Sequence, residues 1–185
     1  MGIIFITGGA RSGKSSFAEE EAKARGKTVV YIATAQALDE EMSHRIQLHK
    51  KRRPKTWTTI EEPIYLSKAL KKVVEDKSFN CFEVVLIDCL ALLVSNWLPL
   101  EEVENTSGWS KLREKLLKAI SDMLELAKRA KQQVIIVSNE VGSGLVPPYP
   151  LGRLYRDLLG EVNQIVAKAA QEVYFAVSGI PLKIK

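Results

Sequence analysis

The sequence is poor in cysteine and has no long apolar run. Cys81 and Cys89 are the only two cysteines in 185 residues, too few for a disulfide framework, and neither lies in a C-x-x-C or Cys/His metal pattern. No apolar stretch approaches the length of a membrane span, and the N-terminus lacks the basic segment of a signal peptide. We therefore expect a cytoplasmic protein without stable membrane insertion.

Strong charge of one sign is also missing. The formal net charge is +5 and the isoelectric point about 9.1, an excess that suits phosphorylated ligands. A dedicated nucleic-acid binder would carry a concentrated basic face, so we expect small-molecule substrates and no nucleic acid. The densest basic run is Lys50-Lys51-Arg52-Arg53, and a helix end stabilised by its dipole would explain part of it.

Length and hydrophobic patterning predict one α/β domain spanning residues 1–185. Short β-branched runs alternate with longer amphipathic segments, which is typical of a mostly parallel sheet flanked by helices. Helices are predicted at 15–25, 39–53, 90–98 and 109–130, and from about 151. Residues 99–108 are predicted to form a surface loop. The predicted strands are 3–6, 29–32, 84–87, 134–137 and 173–177.

The most informative motif is G-x-x-x-x-G-K-S, which directly follows the first apolar run. A strand that ends in such a loop before a helix lets backbone N–H groups and the helix dipole converge on phosphate groups. The motif predicts a P-loop nucleoside-triphosphate-binding fold, with Lys14 on the β/γ-phosphates and the Ser15 hydroxyl on Mg²⁺. The residues of the loop are Gly8, Gly9, Ala10, Arg11, Ser12, Gly13, Lys14 and Ser15.

A carboxylate ends the predicted strand 84–87. In P-loop enzymes, an Asp in this position holds Mg²⁺ directly or through water, and we expect Asp88 to do so together with Ser15. The alternative is that Asp88 caps the following helix. The two roles are compatible.

The segment 39–53 begins with acidic residues and ends with basic ones, which favours a helix. At helical spacing, Met42, Ile46, His49 and Arg53 share one face, whereas His44 points elsewhere. A neutral imidazole beside cations can attack phosphorus, yet an isolated histidine is more often a residue without chemistry, and the spacing by itself favours that second interpretation.

Polar residues also follow the fourth predicted strand, in the segment 138–142. The next predicted helix carries four residues at a spacing of three to four, which we interpret as one polar stripe: Arg153, Arg156, Gly160 and Asn163. The stripe is consistent either with a functional site or with an intersubunit or capping network. The spacing does not separate these alternatives.

Together these residues resemble the bifunctional adenosylcobinamide kinase/adenosylcobinamide-phosphate guanylyltransferase family of cobalamin biosynthesis. The resemblance extends from the first strand to the C-terminal Leu-Lys-Ile-Lys. The P-loop occurs in many families, whereas the other pieces are narrower. They are Tyr-Ile-Ala-Thr-Ala at 31–35, Arg-Ile-x-x-His at 45–49, Asp-Cys-Leu at 88–90, Ser-Asn-Glu-Val-Gly at 138–142 and Tyr-Arg-Asp at 155–157.

The resemblance implies two reactions. Adenosylcobinamide is phosphorylated with ATP or GTP, and GMP is then transferred from GTP through a guanylylated histidine, at the position of His49, to give adenosylcobinamide-GDP. It also implies catalytic Lys14, a Mg²⁺ cofactor and a homotrimer. Besides the loop residues, the implied nucleotide contacts are Thr34, Ala35, Gln36, Lys50, Lys51, Arg52, Arg53, Glu61 and Asp88.

Two alternatives remain at the level of the sequence. A monofunctional small-molecule kinase would use Lys14 and Asp88 while His49 was idle. A non-enzymatic nucleotide-sensing module would bind nucleotide without turning over a corrinoid.

Overall fold

The computed structural model of the chain describes residues 2–100 and 106–185. Within these residues, seven strands form one sheet in the order β3-β2-β4-β5-β1-β6-β7. All neighbouring strands are parallel except β6 and β7, so the mostly parallel sheet predicted from the sequence is confirmed. The strands are β1 Ile3–Gly8, β2 Val29–Ala33, β3 Thr58–Glu61, β4 Val84–Asp88, β5 Gln133–Val137, β6 Glu172–Val177 and β7 Ile180–Lys183.

Helices cover the sheet. They are α1 Lys14–Arg25, α2 Glu40–Arg52, α3 Leu66–Glu75, α4 Leu90–Trp97, α5 Thr106–Arg129 and α6 Pro150–Ala169. The strands β1, β2, β4 and β5 are buried almost completely, because helices pack on both of their faces. This burial explains why their sequences are continuous β-branched runs.

Two strands were not predicted from the sequence. The side chains of β3 are exposed or half-buried, and those of β7 are exposed along its whole length, since both strands lie at the edges of the sheet. Their composition, Thr-Thr-Ile-Glu and Ile-Pro-Leu-Lys, is not apolar enough to stand out as a buried strand. Proline in β7 is compatible with an edge position, where one side of the strand needs no hydrogen bonds.

The predicted surface loop at 99–108 is partly wrong. Residues 98–100 form a 3₁₀ turn, and α5 begins at Thr106, three residues before the predicted start at 109. Residues 101–105 lie outside the described part of the chain. The amphipathic pattern did not reveal the first turn of α5 because Thr106-Ser107-Gly108 contains no apolar residue.

The sheet topology brings distant parts of the sequence to one edge. Because β1, β2 and β4 are parallel, their carboxyl ends at Gly8, Ala33 and Asp88 all face the same side of the molecule. Open α/β sheets bind ligands at this edge. Throughout the described ranges 2–100 and 106–185, no helix has the length and apolar character needed to cross a bilayer.

The buried face of α3 provides a test of the core. Leu70 on α3 is fully buried, so Leu70→Ala should lower the free energy of unfolding by about 2–5 kcal/mol through lost burial and the cavity left behind. Lys71→Ala, an exposed position on the same helix, should change it by no more than about 0.5 kcal/mol. Urea denaturation followed by circular dichroism measures both values, and equal losses would contradict this packing.

Candidate functional site

The phosphate loop connects β1 to α1. Gly13, the residue before the first turn of α1, has φ +89°, and no side chain caps this end of the helix. The N–H groups of the first turn therefore remain available to an anion. Arg11 also has a positive φ of 54°, so the loop backbone curls back on itself between Gly8 and Lys14. These features are the ones that the G-x-x-x-x-G-K-S motif predicts.

Lys14 is unusual among lysines because its side chain is buried, with a relative exposure of 9%. Its ammonium group donates a hydrogen bond to the carbonyl oxygen of Gly9 at 3.0 Å, within the loop itself. Burial lowers the pKa of Lys14, while the neighbouring Cys89 and Asp88 oppose that shift. The ammonium group is thus held at the loop, where it can exchange a carbonyl oxygen for a phosphate oxygen.

Asp88 ends β4 beside the phosphate loop. Its carboxylate accepts a hydrogen bond from the Tyr31 hydroxyl at 2.8 Å. Burial raises the pKa of Tyr31 well above the ordinary range, and both the charge of Asp88 and the hydrogen bond to Asp88 add to this shift. The Tyr31 hydroxyl therefore remains a donor. The helix-capping alternative for Asp88 is wrong, because the residue at the N-cap of α4 is Cys89 and no side chain caps that helix.

Helix α2 lies over the same edge of the sheet. Its N-terminus is capped by Asp39, whose carboxylate accepts the N–H of Met42 at 2.7 Å. The shared face predicted from spacing is confirmed: Met42, Ile46 and His49 of α2 line the cleft, together with Lys50 and with Arg53, the residue directly after the helix. His44 is exposed and lies outside the cleft lining.

A cleft of about 530 Å³ joins α2 to the phosphate loop and the carboxyl ends of the strands. It is large enough for a drug-sized ligand. Nine of the side chains predicted from the sequence line it together: Lys14, Ser15, Ala35, Gln36, His49, Lys50, Arg53, Glu61 and Asp88. The lysine and serine of the loop, the acid of β4 and the histidine of α2 therefore face one space.

Other predicted residues lie elsewhere. Thr34 is fully buried, and its hydroxyl donates to the carbonyl of Cys89 at 2.7 Å and accepts the N–H of Cys89 at 2.8 Å. It therefore ties β2 to the end of β4 rather than lining the cleft. Lys51 and the loop residues 8–13 are also absent from the lining, and the side chain of Arg52 lies outside the described part of the structure.

Adjacent acids at the end of β3 have different partners. Glu61 lines the cleft and pairs with Lys50 of α2 at 2.6 Å. The carboxylate of Glu62 instead accepts the N–H groups of Ile64 and Tyr65 and so stabilises the turn that leads to α3. Of these two acids, only Glu61 faces the cleft.

Sequence reasoning did not assign a role to several cleft residues. Tyr31 and Asn139 were part of the motif pieces that carried the resemblance, but nothing in the spacing indicated that they line the site. The sequence does contain one indication of Tyr31: it lies two residues before Ala33, which also lines the cleft, and residues i and i+2 of a strand point to the same face. The remaining lining residues without a predicted role are Ala33, Ala37, Pro63, Cys89 and Leu92.

The polar stripe on α6 acts as a network that fixes the preceding loop. Arg156 donates to the carbonyl of Gly142 at 2.9 Å, and Asn163 to that of Asn139 at 2.8 Å. Arg153 donates to the carbonyls of Pro147 and Pro148. These contacts favour the capping alternative, and they hold the 139–148 loop in place at the edge of the sheet.

A sequence model of the family described as cobinamide kinase / cobinamide phosphate guanyltransferase matches residues 4–184. The chain is 38% identical over 186 residues to the bifunctional adenosylcobalamin biosynthesis protein CobU of Escherichia coli strain K12, with 99% of each chain covered. It is 41% identical over 180 residues to the bifunctional adenosylcobalamin biosynthesis protein CobP of Pseudomonas aeruginosa, covering 97% of this chain and 95% of that one.

The structure also resembles that of the RadB recombinase. The TM-score is 0.52 at 16% sequence identity, and the similarity covers 94% of this chain and 73% of the recombinase chain. At this level of identity the similarity concerns the fold alone. It agrees with the predicted P-loop architecture.

The turn at Gly13 yields a test of the phosphate loop. A Cβ atom at this position would lie 3.0 Å from the Cα of Gly179, and the φ of +89° strains any L residue. Gly13→Ala should therefore weaken nucleotide binding by roughly tenfold or more. Gly160→Ala, where a Cβ has open space on α6, is the matched control and should bind like the unmodified protein. Calorimetric titration with GTP measures both, and unchanged affinity of Gly13→Ala would contradict the assignment of the loop.

Proposed function

The chain belongs to the cobinamide kinase / cobinamide phosphate guanyltransferase family, and from that premise we propose that it performs both reactions of the family in one cleft. It is a transferase of adenosylcobalamin biosynthesis. It phosphorylates adenosylcobinamide with ATP or GTP and transfers GMP from GTP to the product, giving adenosylcobinamide-GDP.

One observation supports the proposal most directly. The cleft of about 530 Å³ is lined both by Lys14 and Asp88, which suit phosphoryl transfer, and by His49, which suits nucleotidyl transfer. A chain with only one of the two activities would need only one of these groups of residues in its cleft. The shared space instead lets one nucleotide site serve two displacements at different phosphorus atoms.

In the first reaction, the oxygen of the corrinoid hydroxyl attacks the γ-phosphorus of the nucleotide, and the hydroxyl proton is released to solvent. The bond between that phosphorus and its bridging oxygen breaks, and the nucleoside diphosphate leaves. The backbone N–H groups at the start of α1 hold the phosphate chain, and Lys14 neutralises the charge that develops on it. The protein thus contributes alignment and electrostatic stabilisation rather than a covalent step.

The residues present fit a magnesium ion. Ser15 and Asp88 bring a hydroxyl and a carboxylate to the same cleft, and these hard oxygen donors are those that Mg²⁺ takes alongside water and phosphate oxygens. When bound, the ion offsets the negative charge of the phosphate groups. We propose Ser15 and Asp88 as its protein ligands.

In the second reaction, an imidazole nitrogen of His49 attacks the α-phosphorus of GTP. A P–N bond forms, the bond to the β-phosphate breaks, and pyrophosphate leaves. A phosphate oxygen of adenosylcobinamide phosphate then attacks the same phosphorus, which breaks the P–N bond and restores the histidine. Within the described residues, the buried Nδ1 of His49 has no hydrogen-bond partner, and Lys50 and Arg53 line the cleft beside it.

The remaining proposed nucleotide contacts surround these groups. Ala35 and Gln36 follow β2 into the cleft, and Glu61, at the end of the neighbouring strand β3, lines it where it can accept hydrogen bonds from a base or ribose. Thr34 acts indirectly, through its bonds to Cys89. We retain Lys51 and Arg52 as proposed contacts on the strength of the resemblance.

We also propose a cytoplasmic homotrimer. Cys81 and Cys89 are both unpaired, in keeping with a reducing compartment. The loop before α6 exposes Leu145, Val146 and Tyr149, apolar side chains that association would cover. Light scattering of the purified protein at several concentrations tests the trimer, and a monomer mass throughout would refute it.

Incubation with adenosylcobinamide, ATP, GTP and Mg²⁺, followed by mass spectrometry of the corrinoids, tests the function as a whole. We expect adenosylcobinamide phosphate and then adenosylcobinamide-GDP. Accumulation of the phosphate alone would identify a monofunctional kinase. Nucleotide binding without any corrinoid product would identify a nucleotide-sensing module.

The carboxylate of Asp88 should set the magnesium requirement. Asp88→Asn keeps the size of the side chain but removes its charge, so the Mg²⁺ concentration for half-maximal rate should rise by about tenfold or more. Asp122→Asn makes the same change on the exposed face of α5 and serves as the control. Coincident magnesium titrations for Asp88→Asn and the unmodified protein would remove Asp88 from the metal site.

His49 should separate the two activities. His49→Ala removes the nucleophile, so guanylyl transfer should fall by roughly three orders of magnitude or more, while phosphorylation of adenosylcobinamide falls far less. Radiolabelled GTP and Mg²⁺ without corrinoid should label the unmodified protein but not this variant. The label should be labile in acid and stable in alkali, as expected of a phosphoramidate.

The matched control is His44→Ala, which changes the other histidine of the same helix outside the cleft lining. It should be labelled like the unmodified protein. Normal labelling of His49→Ala together with loss of labelling in His44→Ala would show that the nucleophile lies on the other face of α2.

A further inference from the structure

Tyr31 lies at the junction between the two groups of reacting residues. It is almost completely buried, with a relative exposure of 3%. Its hydroxyl donates to Oδ2 of Asp88 at 2.8 Å, and the guanidinium carbon of Arg53 lies 3.4 Å from the centre of its ring. One side chain therefore contacts both the acid at the end of β4 and the residue that follows α2.

The sheet register accounts for the first contact. Ala33 pairs with Asp88 in the parallel β2–β4 ladder, and Tyr31 lies two residues before Ala33 on the same face of the strand. The long tyrosine side chain extends along this face toward the carboxyl edge. Its hydroxyl meets the carboxylate there and restricts the orientation in which Asp88 faces the cleft.

The second contact is important because α2 lies at the surface of the fold. None of the α2 side chains that the structure describes is buried. The pair between Lys50 and Glu61 joins two side chains that are 49% and 64% exposed, and exposed ion pairs contribute little. Arg53 instead stacks on a buried aromatic ring, an arrangement in which a cation–π contact is stronger.

The ring of Tyr31 is itself held in place. Trp57, which lies between α2 and β3 and is 9% exposed, stacks against it with ring centres 6.5 Å apart and an angle of 27°. The guanidinium group of Arg53 thus rests on a fixed platform. Arg53 follows His49 by four residues, about one helical turn, so the platform also restricts where His49 lies.

We propose that Tyr31 is a positioning residue for both reactions, with its hydroxyl orienting Asp88 and its ring fixing the end of α2 that carries His49. This inference rests on the function proposed above. The hydroxyl of Tyr31 acts on the magnesium ligand Asp88, and its ring acts on the nucleophile His49. A substitution that removes only the hydroxyl should therefore differ in its effects from one that removes the ring as well.

Tyr31→Phe removes the hydroxyl and keeps the ring, whereas Tyr31→Leu removes both. Tyr155→Phe is the control: Tyr155 is a half-buried tyrosine whose hydroxyl donates to the carbonyl of Ala91, and it does not line the cleft. Each variant is first checked for folding by circular dichroism and thermal unfolding.

Two measurements follow. Calorimetric titration of a non-hydrolysable GTP analogue at several Mg²⁺ concentrations reports the magnesium dependence of binding without any turnover. The rate of labelling by radiolabelled GTP at saturating Mg²⁺, in the absence of corrinoid, reports the placement of His49.

For Tyr31→Phe we expect the Mg²⁺ concentration that gives half of the magnesium-dependent gain in affinity for the GTP analogue to rise by about three- to tenfold. The rate of labelling at saturating Mg²⁺ should fall by less than about threefold. For Tyr31→Leu we expect the same magnesium shift and, in addition, labelling slowed by about tenfold or more. Tyr155→Phe should match the unmodified protein in both measurements.

Should Tyr31→Leu fail to fold, Arg53→Lys tests the ring contact from the other side, because a lysine keeps the charge but not the planar stack. Arg53→Lys should slow labelling by a similar factor whether residue 31 is the native tyrosine or the phenylalanine of Tyr31→Phe, since the aromatic ring is present in both. Little or no slowing would overturn the role of the ring.

A magnesium titration of Tyr31→Phe that coincides with that of the unmodified protein would overturn the role of the hydroxyl. Labelling of folded Tyr31→Leu at the rate of Tyr31→Phe would overturn the role of the ring. Failure of the proposed function is distinguishable from both results, because the unmodified protein would then take up no label from GTP.

Discussion

The need to hold a highly charged triphosphate at the edge of a buried sheet governs the rest of this structure. Backbone N–H groups at the uncapped start of α1 and the buried ammonium group of Lys14 supply the positive potential. Desolvation makes such groups costly on their own, and the lowered pKa of Lys14 reflects that cost. A phosphate ligand offsets it, so the site is arranged to be most favourable when a nucleotide is bound.

The same constraint explains the distribution of the other polar groups. Asp88 places one negative charge opposite Lys14, and Tyr31 fixes the orientation of that charge from within the sheet. Thr34 joins the ends of β2 and β4 by two hydrogen bonds to Cys89. The phosphate loop and the carboxylate therefore belong to a rigid part of the fold, as expected for a reaction in which alignment supplies much of the catalysis.

Helix α2 differs from this rigid base. Its polar composition leaves it without a buried side chain among those described, although Lys50 pairs with Glu61 and Arg53, the residue after the helix, stacks on Tyr31. The nucleophile that we propose, His49, can on such a helix approach the α-phosphorus in one reaction and leave room for a corrinoid hydroxyl in the other. This is how we propose that two activities use one cleft of about 530 Å³: its floor is fixed, and one wall is a helix without a buried side chain among those described.

The sequence by itself determined the phosphate loop, the five strands β1, β2, β4, β5 and β6, and the helical face that carries His49. Each is encoded locally, by glycine spacing, by β-branched runs and by the 3.6-residue period. Only the tertiary structure decided that β3 and β7 complete the sheet, because edge strands lack a strong apolar pattern. It also decided that Glu61 rather than Glu62 faces the cleft, that Asp88 does not cap α4, and that Tyr31 joins Asp88 to Arg53. These relations depend on sheet register and on contacts between residues far apart in the chain, which no local pattern contains.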